Sequence, residues 1–142
     1  MLADELKGYF EHLKRTDFYR YAAETGQSAE RLIEQAQAAF REGLSLSRSG
    51  LTNEAIQSYQ RVNEIIPQYF EAIDNQAFCY MDLADWETAI GLFQQSIAVN
   101  DHTLATDFSI GECYYKMGEW PKAREWLDRA RRFAPDRELS QA

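Results

Sequence analysis

Shifted against itself by 34 residues, the chain aligns without a gap over three successive copies. Gly43 falls on Ala77 and Gly111, and Ala55 on Ala89 and Ala123. The same shift brings together Leu46, Tyr80 and Tyr114, then Tyr59, Phe93 and Leu127, then Val62, Ser96 and Ala130, then Pro67, Asp101 and Pro135. Such a period restricts the fold severely, because each unit must be one small motif whose open faces are buried only by its neighbours. The units run over 36–69, 70–103 and 104–137, with residues 1–35 as an N-terminal helical extension and cap and 138–142 as a tail.

Each unit reads as two helices joined by a tight turn. In the third, Phe108, Gly111, Tyr114 and Tyr115 recur at helical spacing before a break at Lys116 to Trp120, and Ala123, Leu127 and Ala130 recur after it. Gly50, Ala84 and Gly118 occupy equivalent places just after the first helix, where a C-terminal cap wants a residue at positive φ. Gly43, Ala77 and Gly111 are expected to face Ala55, Ala89 and Ala123 across each hairpin, with the rings at 59, 80, 93 and 114 filling the seams between hairpins. Ser28 is placed as the N-cap of a long helix running into the first unit, and Pro67 and Pro135 as stops after second helices. Ahead of it, Leu2, Leu6, Tyr9, Phe10 and Leu13 share one helical face that needs a cover. The fold class is all-α.

This spacing closely resembles the tetratricopeptide repeat, and the run from Gly111 to Ala123 follows that family's pattern almost throughout. Departures are Ala39 and Asp107 where the family often carries Trp, Leu46 in place of Tyr, and Asp101 where Pro is usual. The resemblance implies three tandem hairpins in a right-handed superhelix whose first helices line a concave groove. Carried over residue by residue, the partner-binding groove comprises Phe40 and Leu44 from the first unit, Asp74, Phe78, Met81 and Asp82 from the second, and Phe108, Glu112 and Tyr115 from the third. One known use of such a groove clamps the acidic tail of a heat-shock chaperone with Lys, Asn, Asn, Lys and Arg. Phe40, Leu44, Asn75, Ala105 and Ser109 stand at those places, which disfavours that partner. Within the family the chain resembles the small cytoplasmic chaperones of type III secretion translocators, although their C-terminal helix has no counterpart.

Charge and chemistry narrow the function further. With 15 Lys and Arg against 23 Asp and Glu the net charge is -8, which argues against nucleic acid and anionic membranes as partners. Six acidic residues and no Lys or Arg fall in 70–103, favouring a protein or peptide ligand with apolar anchors and basic residues. Cys79 and Cys113 share one register position, so the repeat explains their spacing better than a metal or redox site. His12 and His102 stand apart from any nucleophile, and no phosphate loop, zinc motif or nucleophile elbow occurs. A non-enzymatic binding module without metal or cofactor is expected, cytoplasmic because no leader or apolar span is evident. The competing expectation is a structural assembly protein that self-associates, as a homodimer through the N-terminal segment or the exposed face of the C-terminal repeat.

Overall fold

The computed structural model describes residues 22–24, 26, 28–101 and 103–133. The expected amphipathic helix over Leu2 to Leu13, His12, His102, Pro135 and the tail lie outside them. Among the described residues the regular structure is entirely helical: α1 (Ala29–Arg48), α2 (Thr52–Ile65), α3 (Phe70–Asp82), α4 (Trp86–Asn100), α5 (Leu104–Lys116) and α6 (Trp120–Ala130), then a 3-10 turn at Arg131–Phe133. They fall into two compact units, residues 1–72 and 73–142, with α3 beginning in the first and running mostly in the second.

Three hairpin turns are built alike. Gly50, Ala84 and Gly118 have φ of 78°, 59° and 79°, the left-handed conformation expected of them. That backbone bend returns the next N–H to the first helix: Leu51 donates to the Leu46 carbonyl, Asp85 to Tyr80 and Glu119 to Tyr114, each at 2.9 Å. These are Schellman closures, and they satisfy carbonyls that a helix end would otherwise leave unpaired. The carbonyls of Leu51, Asp85 and Glu119 then accept the N–H groups of Ala55, Ala89 and Ala123, opening the second helix. One residue therefore ends one helix and starts the next.

In the first unit Ser28 caps α1, accepting the Arg31 N–H at 3.1 Å, as its position predicts. Phe40, Tyr59, Val62, Ile66 and Tyr69 form the core, with Phe40 meeting Tyr59 at 5.6 Å and Tyr69 at 5.8 Å between ring centroids. In the last turn of α2, Asn63 donates through Nδ2 to the Tyr69 carbonyl at 3.1 Å, tying down the bend that contains Pro67.

In the second unit Ala77 from α3, Ala89, Ile90 and Phe93 from α4, and Ile110 and Cys113 from α5 share one core, edged by Trp126 of α6. Full burial of a ring such as Phe93 contributes roughly 2 to 3 kcal/mol. A reciprocal capping box starts α5: Thr103 Oγ1 accepts the Thr106 N–H, and Thr106 Oγ1 accepts the Thr103 N–H, both at 3.1 Å.

The structure corrects one expectation about these hairpins. Gly111 does face Ala123, whose carbonyl oxygen would lie 3.3 Å from an added Cβ, but the nearest side chains opposite Gly43 and Gly111 are larger ones. A Cβ on Gly43 would lie 2.6 Å from the Tyr59 ring, and one on Gly111 would lie 2.9 Å from Leu127. Gly43 and Gly111 thus make room inside the hairpin for the large residue one helical turn beyond the alanine, so Tyr59 packs within its own hairpin. Ala77 and Phe93 are the equivalent pair of the middle hairpin and share its core.

Candidate peptide-binding surface

Two helical stripes in the second unit carry most of the expected site. On α3 it consists of Asp74, Phe78, Met81 and Asp82, at spacings that place them on one side of the helix. Thirty-four residues on, Phe108, Glu112, Tyr115 and Lys116 occupy the same register on α5. The other flank of each helix is committed to the core, through Ala77 on α3 and through Ile110 and Cys113 on α5.

Exposure separates the anchors from the packing residues. Phe78 is 40% exposed, Phe108 43% and Tyr115 56%, whereas Met81 is half-buried against the core. Phe78 is held edge-on to the buried Phe93 at 5.2 Å, and Tyr115 edge-on to Trp120 at 5.0 Å. Rings braced in this way present apolar surface at low cost in side-chain entropy. Asp82 is exposed and Asp74 and Glu112 half-buried, so carboxylates stand beside aromatic rings on both stripes.

The first-unit members fare differently. Phe40 is only 5% exposed, enclosed by Tyr59 and Tyr69, so it packs the first unit and offers a partner no ring face. Leu44 is half-buried on the same helix. Trp120, 59% exposed, was absent from the sequence expectation although it continues the apolar surface from Tyr115. Its signal is faint, because the equivalent Trp86 is half-buried at the edge of the core.

The chemistry of the described residues is quiet. Burial, and secondarily the Glu112 charge, push the Cys113 thiol up to about 11, so at neutral pH it is protonated and a poor nucleophile. Cys79 is buried too. No group of three or more His, Cys, Asp or Glu among the described residues could hold a metal ion. No helix among them is long and apolar enough to cross a membrane.

Comparison with known proteins now bears on this arrangement. Residues 69–136, which contain α3 to α6 and two of the three Schellman turns, match the family model of the tetratricopeptide repeat. That part of the chain carries the tetratricopeptide repeat. No curated protein matches it. Among solved tetratricopeptide-repeat and related structures, MamA is 21% identical with a TM-score of 0.65, covering 68% of this chain, which spans only 56% of MamA. The first TPR of Spaghetti (RPAP3), bound to the HSP90 peptide SRMEEVD, is 19% identical with a TM-score of 0.68, covering 76% of this chain and 92% of its own. The translocator chaperone SycD of Yersinia enterocolitica is 15% identical with a TM-score of 0.66, covering 76% and 85%. At these identities the likeness concerns the fold alone.

Proposed function

We propose that this chain is a non-enzymatic interaction module that captures a peptide of a partner protein on the α3 and α5 stripes of its second unit. The observation that carries the reading is the set of exposed rings Phe78, Phe108 and Tyr115, the first and last held edge-on by Phe93 and Trp120, with Asp74, Asp82 and Glu112 on the same stripes. Apolar anchors supply binding free energy, and the carboxylates select a ligand with basic residues near its apolar ones. Two similar folds are described as peptide-bound or as a chaperone, one bound to an HSP90 peptide and one a type III secretion translocator chaperone. Of these the chaperone role suits this chain better, since the clamp residues that would hold an acidic tail are replaced at four of five places.

The test is a double substitution, Phe78→Ser with Phe108→Ser, read by pull-down from the native host and by circular dichroism. Each ring contributes roughly 2 kcal/mol when buried by a partner, so binding falls more than about a hundredfold while helicity is retained. Normal partner binding with an altered oligomeric state would assign the surface to self-assembly and end the capture reading.

A further inference from the structure

The hairpin of α5 and α6 carries a second face, which meets the peptide surface at Tyr115 and Trp120. Residue by residue α6 repeats α4: Trp86, Ala89, Ile90, Phe93 and Ile97 return as Trp120, Ala123, Arg124, Leu127 and Arg131. On α4 this stripe is a seat for a helix, since Ala89, Ile90 and Phe93 share their core with Ile110 and Cys113 of α5, and Ile97 and Met117 pack at its edge. On α6 the equivalent stripe opens onto a depression of about 450 Å³ bounded by Tyr115, Trp120, Arg124, Leu127, Asp128 and Arg131.

The substitutions along the stripe follow a pattern. Ala123 and Leu127 keep the apolar character of their α4 counterparts where they also pack against Gly111 inside the hairpin, and Trp120 keeps its ring although it is 59% exposed. Only the two isoleucines have become arginines. Arg124 and Arg131 lie seven residues apart, on the same side of α6 and its 3-10 continuation, roughly 10 Å along the axis. Neither has an ion pair among the described residues, whereas Arg129 on another side binds Glu125 at 2.9 Å and lies over Trp126. Asp128 interrupts the positive charge locally, but residues 120–133 hold five basic and two acidic side chains. An apolar strip flanked by cations is the surface that a helix with an apolar stripe and flanking carboxylates complements, because guanidinium groups bind carboxylates with two parallel hydrogen bonds.

We propose that this face docks an acidic amphipathic helix of a partner protein, with its aliphatic stripe over the half-buried Leu127, a large side chain against Trp120, and Asp or Glu opposite Arg124 and Arg131. The seat prefers the charge opposite to that preferred on the α3 and α5 stripes, so the two surfaces take different ligands.

A stapled amphipathic helix of about four turns, Leu on one side and Glu on its flanks, is titrated into the full chain beside a twin carrying Lys for Glu. Fluorescence anisotropy of the labelled helices reads the binding. The Glu helix binds at least about tenfold more tightly than the Lys twin at low salt, and the ratio shrinks as salt screens the pairs. Arg124→Glu with Arg131→Glu inverts the preference, and Trp120→Ala weakens both helices. Phe78→Ser with Phe108→Ser leaves the titration unchanged, which separates this result from the fate of the peptide surface. Equal affinity for the twins, no saturable binding of the Glu helix, or indifference to the Arg substitutions overturns the proposal. So does binding that emerges only when residues 134–142 are removed, which would make the chain's own terminus the occupant. A dimer dissociated by the Arg substitutions overturns it in favour of a second copy.

Discussion

Replacing glycine by alanine in the middle of a helix ordinarily stabilises it by about 1 kcal/mol, and here the packing sets opposite signs at two such glycines. At Gly91 in α4, an added Cβ meets nothing within 4 Å, so Gly91→Ala gains the full propensity term. At Gly43 in α1, the same Cβ would lie 2.6 Å from Tyr59 Cε1 and 2.9 Å from Cδ1 and Cζ. Those atoms belong to one rigid ring, 2% exposed, with Phe40 against its edge, so no flexible end can yield. Overpacking of this kind costs about 1 to 3 kcal/mol, and a rigid, enclosed obstacle belongs in the upper half of that range. Subtracting the propensity gain leaves Gly43→Ala destabilised by about 1 to 2 kcal/mol. In a chain of this size that lowers Tm by roughly 3 to 6 °C, while Gly91→Ala raises it by roughly 2 to 4 °C. Thermal melts followed by circular dichroism check both. The double variant Gly43→Ala with Tyr59→Leu supplies the internal proof: it must be more stable than the sum of the single losses by about 1 kcal/mol, since the smaller side chain removes the overlap. If Gly43→Ala melts at or above the unaltered chain, or if the cycle shows no coupling, the close approach inside the hairpin is refuted.

Two further outcomes follow from local geometry. Ala84→Gly should stabilise by about 0.5 to 1 kcal/mol in urea unfolding, because φ of 59° strains an L side chain that its counterparts Gly50 and Gly118 lack, and a loss of stability would contradict the cap. The Cys113 thiol, raised to about 11 from the 9.0 of a free thiol, stays protonated in the fold where the unfolded chain ionises. Its contribution is therefore complete below pH 9 and is lost as pH climbs through 11, so the stability of the unaltered chain relative to Cys113→Ala declines over that window; a flat difference in urea melts would remove the burial argument.

The turns were legible in the sequence because their cause is local. Gly50, Ala84 and Gly118 announce a left-handed residue at one fixed register, and Ser28 announces a helix start, without reference to any distant group. Phe40 was misjudged for the opposite reason. Ala36, Ala39, Phe40 and Gly43 make a single broad stripe on α1, and only the positions of Tyr59 and Tyr69 decide that Phe40 faces the core. The pairing of Gly43 with Tyr59 was hidden similarly, since matching small residues to small ones ignores the one-turn offset at which these helices meet. Phe78 and Phe108 stand out because each lies beside a core stripe already filled by Ala77 or by Ile110 and Cys113, which leaves much of the ring exposed.

At each hairpin turn the amide of Leu51, Asp85 or Glu119 is bound to the helix behind and its carbonyl to the helix ahead. No slack remains there, so an inserted residue would break both attachments at once. The connection between α4 and α5 is built differently: Asp101 donates its N–H to the Ile97 carbonyl behind, while the box of Thr103 and Thr106 secures the start of α5. Gene-level lengthening or splicing of such an array is therefore channelled to the joints between hairpins, and the transferable piece is a whole hairpin with its bend intact.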